Sequence, residues 1–258
     1  MTRYLIGCVL LVLLSAHDAS AAWGVRQIKT STRTTATSLT TTFASTTLAT
    51  STIVASSAIY NSGGSGNTVS DATNGTYTQA WTTSGDVDSE LWQHYFANAA
   101  AITAVTTNPG GTSSDNDLTL FEVEDAATST PLDVAVTNTG TWNHTLGAGT
   151  STVTTATLAQ ADEVVISGFS HNSSDSALTG DSGDGFTQAD ENEVNSGGQT
   201  FHWQYKVVTV TTSLVVNGTI AQNILGANPA TWFTGVGSYK KAVAGGVTPK
   251  MMLLGVGP

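Results

Sequence analysis

The sequence predicts an all-β protein of about 12 strands, folded as a sandwich or barrel. Three observations point there. Leu, Lys, Arg, Glu and Met are scarce beyond the first 22 residues, while Thr, Val, Ser and Gly dominate; Thr and Val are stiff at χ1 and suit strands. Short alternating runs, separated by clusters of Gly, Asn, Asp and Ser, recur about every 10 to 20 residues, the spacing of a sandwich or barrel. In Phe201-His202-Trp203-Gln204-Tyr205-Lys206-Val207, apolar and polar residues alternate, so one face is expected in the core and the other in water.

Taken in order, the chain opens on a secretory signal peptide over residues 1–21: Arg3, an apolar run from Tyr4 to Leu14, then Ala19-Ser20-Ala21 as an A-x-A cleavage site. The apolar run is about half the roughly 20 residues a membrane-spanning helix needs, so no membrane insertion is expected after cleavage. Cys8 is the single cysteine and lies in this leader, so the mature chain has no disulfide and must rest on its core. Residues 22–52 form a Thr/Ser-rich arm or first strand, anchored by Leu39, Phe43 and Leu48. The β domain spans 53–241, and a Gly-rich spacer with an apolar tail, Met251-Met252-Leu253-Leu254, occupies 242–258. Strands are expected near Leu39–Phe43, Thr52–Tyr60, Thr76–Thr82, Glu90–Asn98, Ile102–Thr106, Leu118–Glu124, Leu132–Thr137, Thr152–Leu158, Glu163–His171, Thr200–Thr209, Ser213–Ile220 and Trp232–Tyr239. Asn61–Asn67 reads as a flexible loop and His171–Ser196 as a long polar loop, a length that is usually functional or disordered.

Charge is distributed unusually. From Thr34 to Tyr205, 172 consecutive residues contain no Lys or Arg, yet 18 of the 19 Asp and Glu fall there. Such a body is expected to form almost no side-chain ion pairs, leaving its carboxylates to water, hydrogen bonds or cations. It also repels phosphate backbones and anionic headgroups, so nucleic acid and membrane surfaces are not expected partners.

Several segments resemble a widespread, mostly uncharacterised jelly-roll or lectin-like family of secreted bacterial and phage-associated surface proteins. Asp71-Ala72-Thr73-Asn74-Gly75-Thr76-Tyr77-Thr78 is similar to its D-x-x-G-N-T-Y-T turn, although Gly75 here follows Asn74. His94-Tyr95-Phe96-Ala97-Asn98 resembles its I-W-Y-A-x-N strand, and Leu118–Glu124 followed by Ala127–Asp133 its L-x-x-x-E-x-x-G-x-x-x-x-x-P-L-D segment. Ala161–Gly168, Gly185-Phe186-Thr187 and Trp232–Tyr239 continue the pattern, so the likeness covers about Thr40 to Lys241. The resemblance implies a two-sheet antiparallel β-sandwich of jelly-roll or concanavalin-like type in a surface, adhesive or virion-appendage protein, and it transfers no catalytic residue.

Candidate chemistry is sparse. Glu122 and Glu124, two apart on one strand face, would stand about 7 Å apart, a separation compatible with glycoside hydrolysis. A lectin-like glycosidase arrangement E-x-D-x-x-E is not met by Glu122-Val123-Glu124-Asp125, and a solvated strand face is the simpler expectation. Asp181 and Asp184 in a Gly-rich loop, with Asp175 and Asp190 nearby, could offer oxygen ligands to calcium, though not at EF-hand spacing. Asp86, Asp88 and Glu90, and Asp115 with Asp117, repeat that pattern more weakly. Trp142, beside Asn143 and His144, is the tryptophan most suited to stack on a sugar, whereas Trp203 and Trp232 belong to the core. No histidine pair stands at metal-ligand spacing and no G-x-S-x-G elbow is present. The expected function is therefore a non-enzymatic, exported structural or adhesive component of a cell surface, extracellular filament or phage appendage. The alternative is a carbohydrate-binding module, calcium-assisted or not. Expected partners are glycans or copies of the chain, the latter through strand exchange into an oligomer or filament.

Overall fold

The computed structural model describes residues 23–31, 37–60, 66–83, 90–110, 115–143, 148–171, 178–192, 200–221 and 230–243. The expected signal peptide, most of the expected loop at 61–67, Asp86, Asp88, His144, Asp175 and the tail with Met251 to Leu254 lie outside these residues. The chain is all-β and its strands pair antiparallel.

The first half contains β1 (Gly24–Thr30), β2 (Leu39–Thr42), β3 (Thr52–Tyr60), β4 (Asn67–Asp71), β5 (Gly75–Thr76), β6 (Thr78–Thr82), β7 (Glu90–Phe96), β8 (Ala104–Pro109) and β9 (Asp115–Glu124). The second contains β10 (Leu132–Trp142), β11 (Gly149–Thr154), β12 (Glu163–His171), β13 (Leu178–Thr179), β14 (Thr187–Asn192), β15 (Thr200–Val208), β16 (Val215–Ile220) and β17 (Ala230–Lys240). Every strand expected from the sequence has a counterpart here, and Thr52–Tyr60 and Glu163–His171 keep the expected bounds. The additional strands β1, β4, β13 and β14 are short or lie mostly at sheet edges. The expected polar loop at 171–196 is corrected: it holds β13, a 3-10 turn at Ser182–Asp184, and β14.

Among the described residues the strands form four sheets, where two were expected: β1-β9-β3-β7-β6, β10-β17-β12-β15-β14, β2-β8-β4-β5 and β11-β16-β13. One topology occurs twice. Replacing β1, β2, β3, β4, β6, β7, β8 and β9 by β10 to β17 in order converts the first-half sheets into the second-half sheets, with the 3-10 turn standing where β5 was. The register repeats as well. Thr78-Gln79-Ala80-Trp81 pairs with Tyr95, His94 and Gln93 around a bulge at Ala80. Thr187-Gln188-Ala189-Asp190 pairs with Tyr205, Gln204 and Trp203 around the same bulge at Ala189. A left-handed glycine precedes each strand, Gly75 at φ 84° and Gly185 at φ 81°.

Three cores separate the four sheets. Val54, Trp81, Leu91, Phe121 and Val123 of one large sheet meet Val164, Ile166, Phe201, Trp203, Phe233 and Tyr239 of the other. The outer face of the first large sheet buries Ile53, Ala55, Leu118 and Leu120 against Phe43, Val69, Tyr77 and Val105 of the small-sheet side. Val165, Phe169 and Val236 do the same with Val153, Leu178, Val216 and Ile220. Both faces of each large sheet are therefore covered, which corrects the expectation of one wet face on β15: His202 and Gln204 are 2% and 1% exposed.

Facing ladders lock the two large sheets together. Thr119, Ser56, Gln93 and Trp81 form one rung, and Gly235, Gly168, Trp203 and Asp190 occupy the register-equivalent positions opposite. The Trp81 ring lies on Gly235, where a Cβ would come within 2.4 Å of it, and 6.0 Å from the Trp203 ring, which itself covers Gly168. Its indole N–H donates to Gln93 Oε1 at 2.9 Å, an acceptor shared with the Tyr239 hydroxyl. Across the rung, Thr119 donates its hydroxyl to Asp190 at 2.9 Å.

Candidate functional site

The carboxylates most eligible for chemistry sit where β1 bulges away from β9. The register slips between Val25 and Gln27, and the slip aims Arg26 at the neighbouring strand. Arg26 Nη1 donates to Glu122 Oε2 at 2.8 Å, and its Nε lies 3.1 Å from Glu124 Oε1. Gln27 Nε2 adds a second donor to Glu122 Oε2 at 2.6 Å, while the Leu48 N–H and the Ser51 hydroxyl reach Oε1 at 2.6 and 3.0 Å. Glu122 is fully buried and Glu124 is 7% exposed, so the expected solvated strand face is corrected. Charge-assisted bonds of this kind are short and fix a carboxylate in place. A glycosidase acid must present an oxygen to its substrate, whereas both oxygens of Glu122 are saturated from within. Burial raises the Glu124 carboxyl above its ordinary value, with Arg26 opposing and Glu122 and Asp125 adding to the rise.

The second half repeats this corner with charges exchanged. β10 bulges from β17 between Leu132 and Ala135, and Asp133 there lies 3.8 Å from Lys240 Nζ. The buried carboxyl is now on β12, the next strand across β17: Glu163, 0% exposed, bonds Ser238 and faces Asp133. Lys241 and Asp162 stand 3.9 Å apart nearby. The expectation of almost no ion pairs is thus corrected, because the basic residues flanking the acidic stretch belong to β1 and the end of β17, strands that border its carboxylates.

These buried groups set a pH dependence. Burial pushes His94 and His202 down to about 4 from 6.5, so the unfolded chain takes up protons that the fold refuses, and stability falls as pH drops from 6.5 towards 4. Burial, reinforced by Asp133, pushes Glu163 up to about 7 from 4.5, so its contribution is complete below 4.5 and lost as pH rises through 7. Melting curves across pH 4 to 8 are expected to show Glu163→Gln matching the parent near pH 4.5 and exceeding it by roughly 1–3 kcal/mol at pH 8. His202→Gln should flatten the acid side.

Of the candidate calcium residues that are described, two stand together and one apart. Asp181 and Asp184 stand together at the 3-10 turn; burial raises Asp181, with the Asp184 charge adding to it, and its Oδ2 accepts from the Asn217 N–H at 3.0 Å. Lys206 donates to the Asp184 carbonyl and lies over the Phe186 ring. Asp190 points instead between the large sheets to Thr119, and Asp175 lies outside the described residues. Among the described residues no three Asp, Glu, His or Cys side chains gather as metal ligands. Trp142, placed at a polar rim by the sequence, ends β10 half-buried on Gly149 and against the second-half core. The resembling turn is a closed knot: Asp71 accepts from the Thr73 and Asn74 N–H groups, the Asn74 amide and the Tyr77 hydroxyl at 2.6–2.9 Å.

Among the described residues, one recess of 310 Å³ is lined by Gln160, Asp162, Lys241 and Val243, at the lower end of the roughly 300–1,000 Å³ usual for small-molecule sites, and two of 200 and 190 Å³, below that range, lie beside Asp71 and between Thr82 and Asn138. Sequence reasoning missed Arg26, Asp133 and Glu163 as members of these corners, and the repeated Thr-Gln-Ala at 78–80 and 187–189 was the available sign that two corners existed. No family model matches the chain, and no curated protein matches it.

Proposed function

We propose that this chain is a non-enzymatic, exported structural or adhesive component of an extracellular surface, filament or virion appendage, built as two jelly-roll sandwiches joined through their larger sheets. The strand orders β1-β9-β3-β7 over β2-β8-β4-β5, and β10-β17-β12-β15 over β11-β16-β13, support the jelly-roll reading. One observation carries the functional reading: Glu122, the best catalytic candidate, is fully buried and bonded through both oxygens to Arg26, Gln27, Leu48 and Ser51. Its place is inside the fold, and the polar surface left outside suits contact more than conversion.

The secreted protein, incubated with a panel of polysaccharides, is expected to release no reducing sugar. Turnover that disappears in Glu122→Gln would overturn the proposal. A second reading, calcium-assisted glycan binding, draws on the adjacent Asp181 and Asp184 carboxyls, whose mutual repulsion a cation would relieve. Glycan-array binding abolished by a chelator, with a calcium-dependent rise in Tm that Asp184→Asn removes, would favour that reading.

A further inference from the structure

We infer that the contact between the two five-stranded sheets is a dimer interface whose partners have become halves of one chain, and that the N-terminal half fits the C-terminal half rather than a copy of itself. The two halves share strand order, the bulged Thr-Gln-Ala edge and the bulged first strand. Their mutual contacts are also exchanged as a two-fold axis would exchange them. Ladder pairing makes Trp81 equivalent to Asp190, and Thr119 equivalent to Gly235. Trp81 rests on Gly235 at one place, and Asp190 accepts from Thr119 at the other. The same two contacts are thus made twice, once as a large ring in a glycine hole and once as a carboxylate with a hydroxyl.

That divergence fixes the pairing. Two N-terminal halves brought together in this way would set Trp81 against Thr119, yet even a bare Cβ at the opposite position lies 2.4 Å from the ring. Two C-terminal halves would set Asp190 against Gly235, replacing its hydroxyl donor with a void. Specificity by steric and polar exclusion of the wrong partner is the usual result when like surfaces must not pair. The connection between halves adds little to this contact. Asp125, Ala126 and Ala127 bond Ala242, Lys241 and Lys240, Pro131 accepts from Lys240, and Ser129 and Thr130 are exposed. A cut between Thr128 and Thr130 leaves all of those bonds in place.

The test is a full chain carrying a protease recognition sequence between Thr128 and Thr130, cut under native conditions. The two fragments are expected to elute together at the volume of the uncut chain and to melt in one transition. Separation or aggregation of the cut parent protein overturns the inference. In cut Trp81→Phe protein, fragments should exchange with isotope-labelled cut parent fragments at least tenfold faster, read by native mass spectrometry. Exchange at the parent rate would show that the tryptophan does not determine the fit.

Discussion

Gly235→Ala is expected to destabilise the protein by about 3 kcal/mol or more, the upper end of overpacking costs. The added Cβ would lie 2.4, 2.5 and 2.6 Å from three atoms of the Trp81 ring. That ring cannot retreat without giving up its hydrogen bond to Gln93 and its contact with Trp203. β17 cannot retreat either, since it is paired to β10 and β12 along its length. Trp81→Ala should cost a similar 3–5 kcal/mol by leaving a cavity between the sheets. The two changes meet at one contact, so the double variant should lose clearly less than the sum, a coupling of 0.5–3 kcal/mol in ordinary cases. Urea midpoints at constant m-value measure all three. Gly183→Ala, where a Cβ meets nothing within 4 Å, serves as the neutral control.

Arg26→Ala is the second large loss, about 3–5 kcal/mol, because removing one partner of a buried pair strands the other charge. Glu122 is fully buried, and Arg26 is its counter-charge, with 29% of its side chain exposed. The remaining donors, Gln27, Leu48 and Ser51, are neutral and cannot compensate a full charge. Glu122→Gln placed in the Arg26→Ala background should recover more than half of the loss, since a neutral amide no longer needs the guanidinium. Arg26→Lys should recover less than the parent value, because one ammonium cannot match the fork that reaches both Glu122 and Glu124. Denaturant titration of the four proteins, at fixed pH and salt, gives the comparison.

The strands were legible in the sequence wherever apolar residues alternate or cluster, as in Thr52–Tyr60 and Thr200–Val208. Two edge strands, β1 and β14, were not, although β2, β6, β10 and β11, also at edges, were. Gly24–Thr30 carries Arg26 and Lys29 and bulges in the middle, so its alternation breaks, and Thr187–Asn192 has a single apolar residue, Ala189, which sits at its bulge. The number of sheets was misread for a related reason. Strands covered on both faces normally show as continuous apolar runs, but Ser56, Ser57, Ser167, Ser170, His202 and Gln204 are buried polar residues in such strands and imitate a wet face. The candidate acids were found by their spacing, yet their role was set by Arg26, 96 residues away from Glu122, a pairing that only the register of β1 with β9 creates.

A surface building unit, as proposed here, would be found in place on a surface, whereas a catalyst need not be. Immunogold electron microscopy of native material, with antibody raised against the purified chain, is expected to label a wall, filament or virion appendage at regular density. Label confined to the soluble medium, with the purified protein cleaving a polysaccharide, would contradict that role.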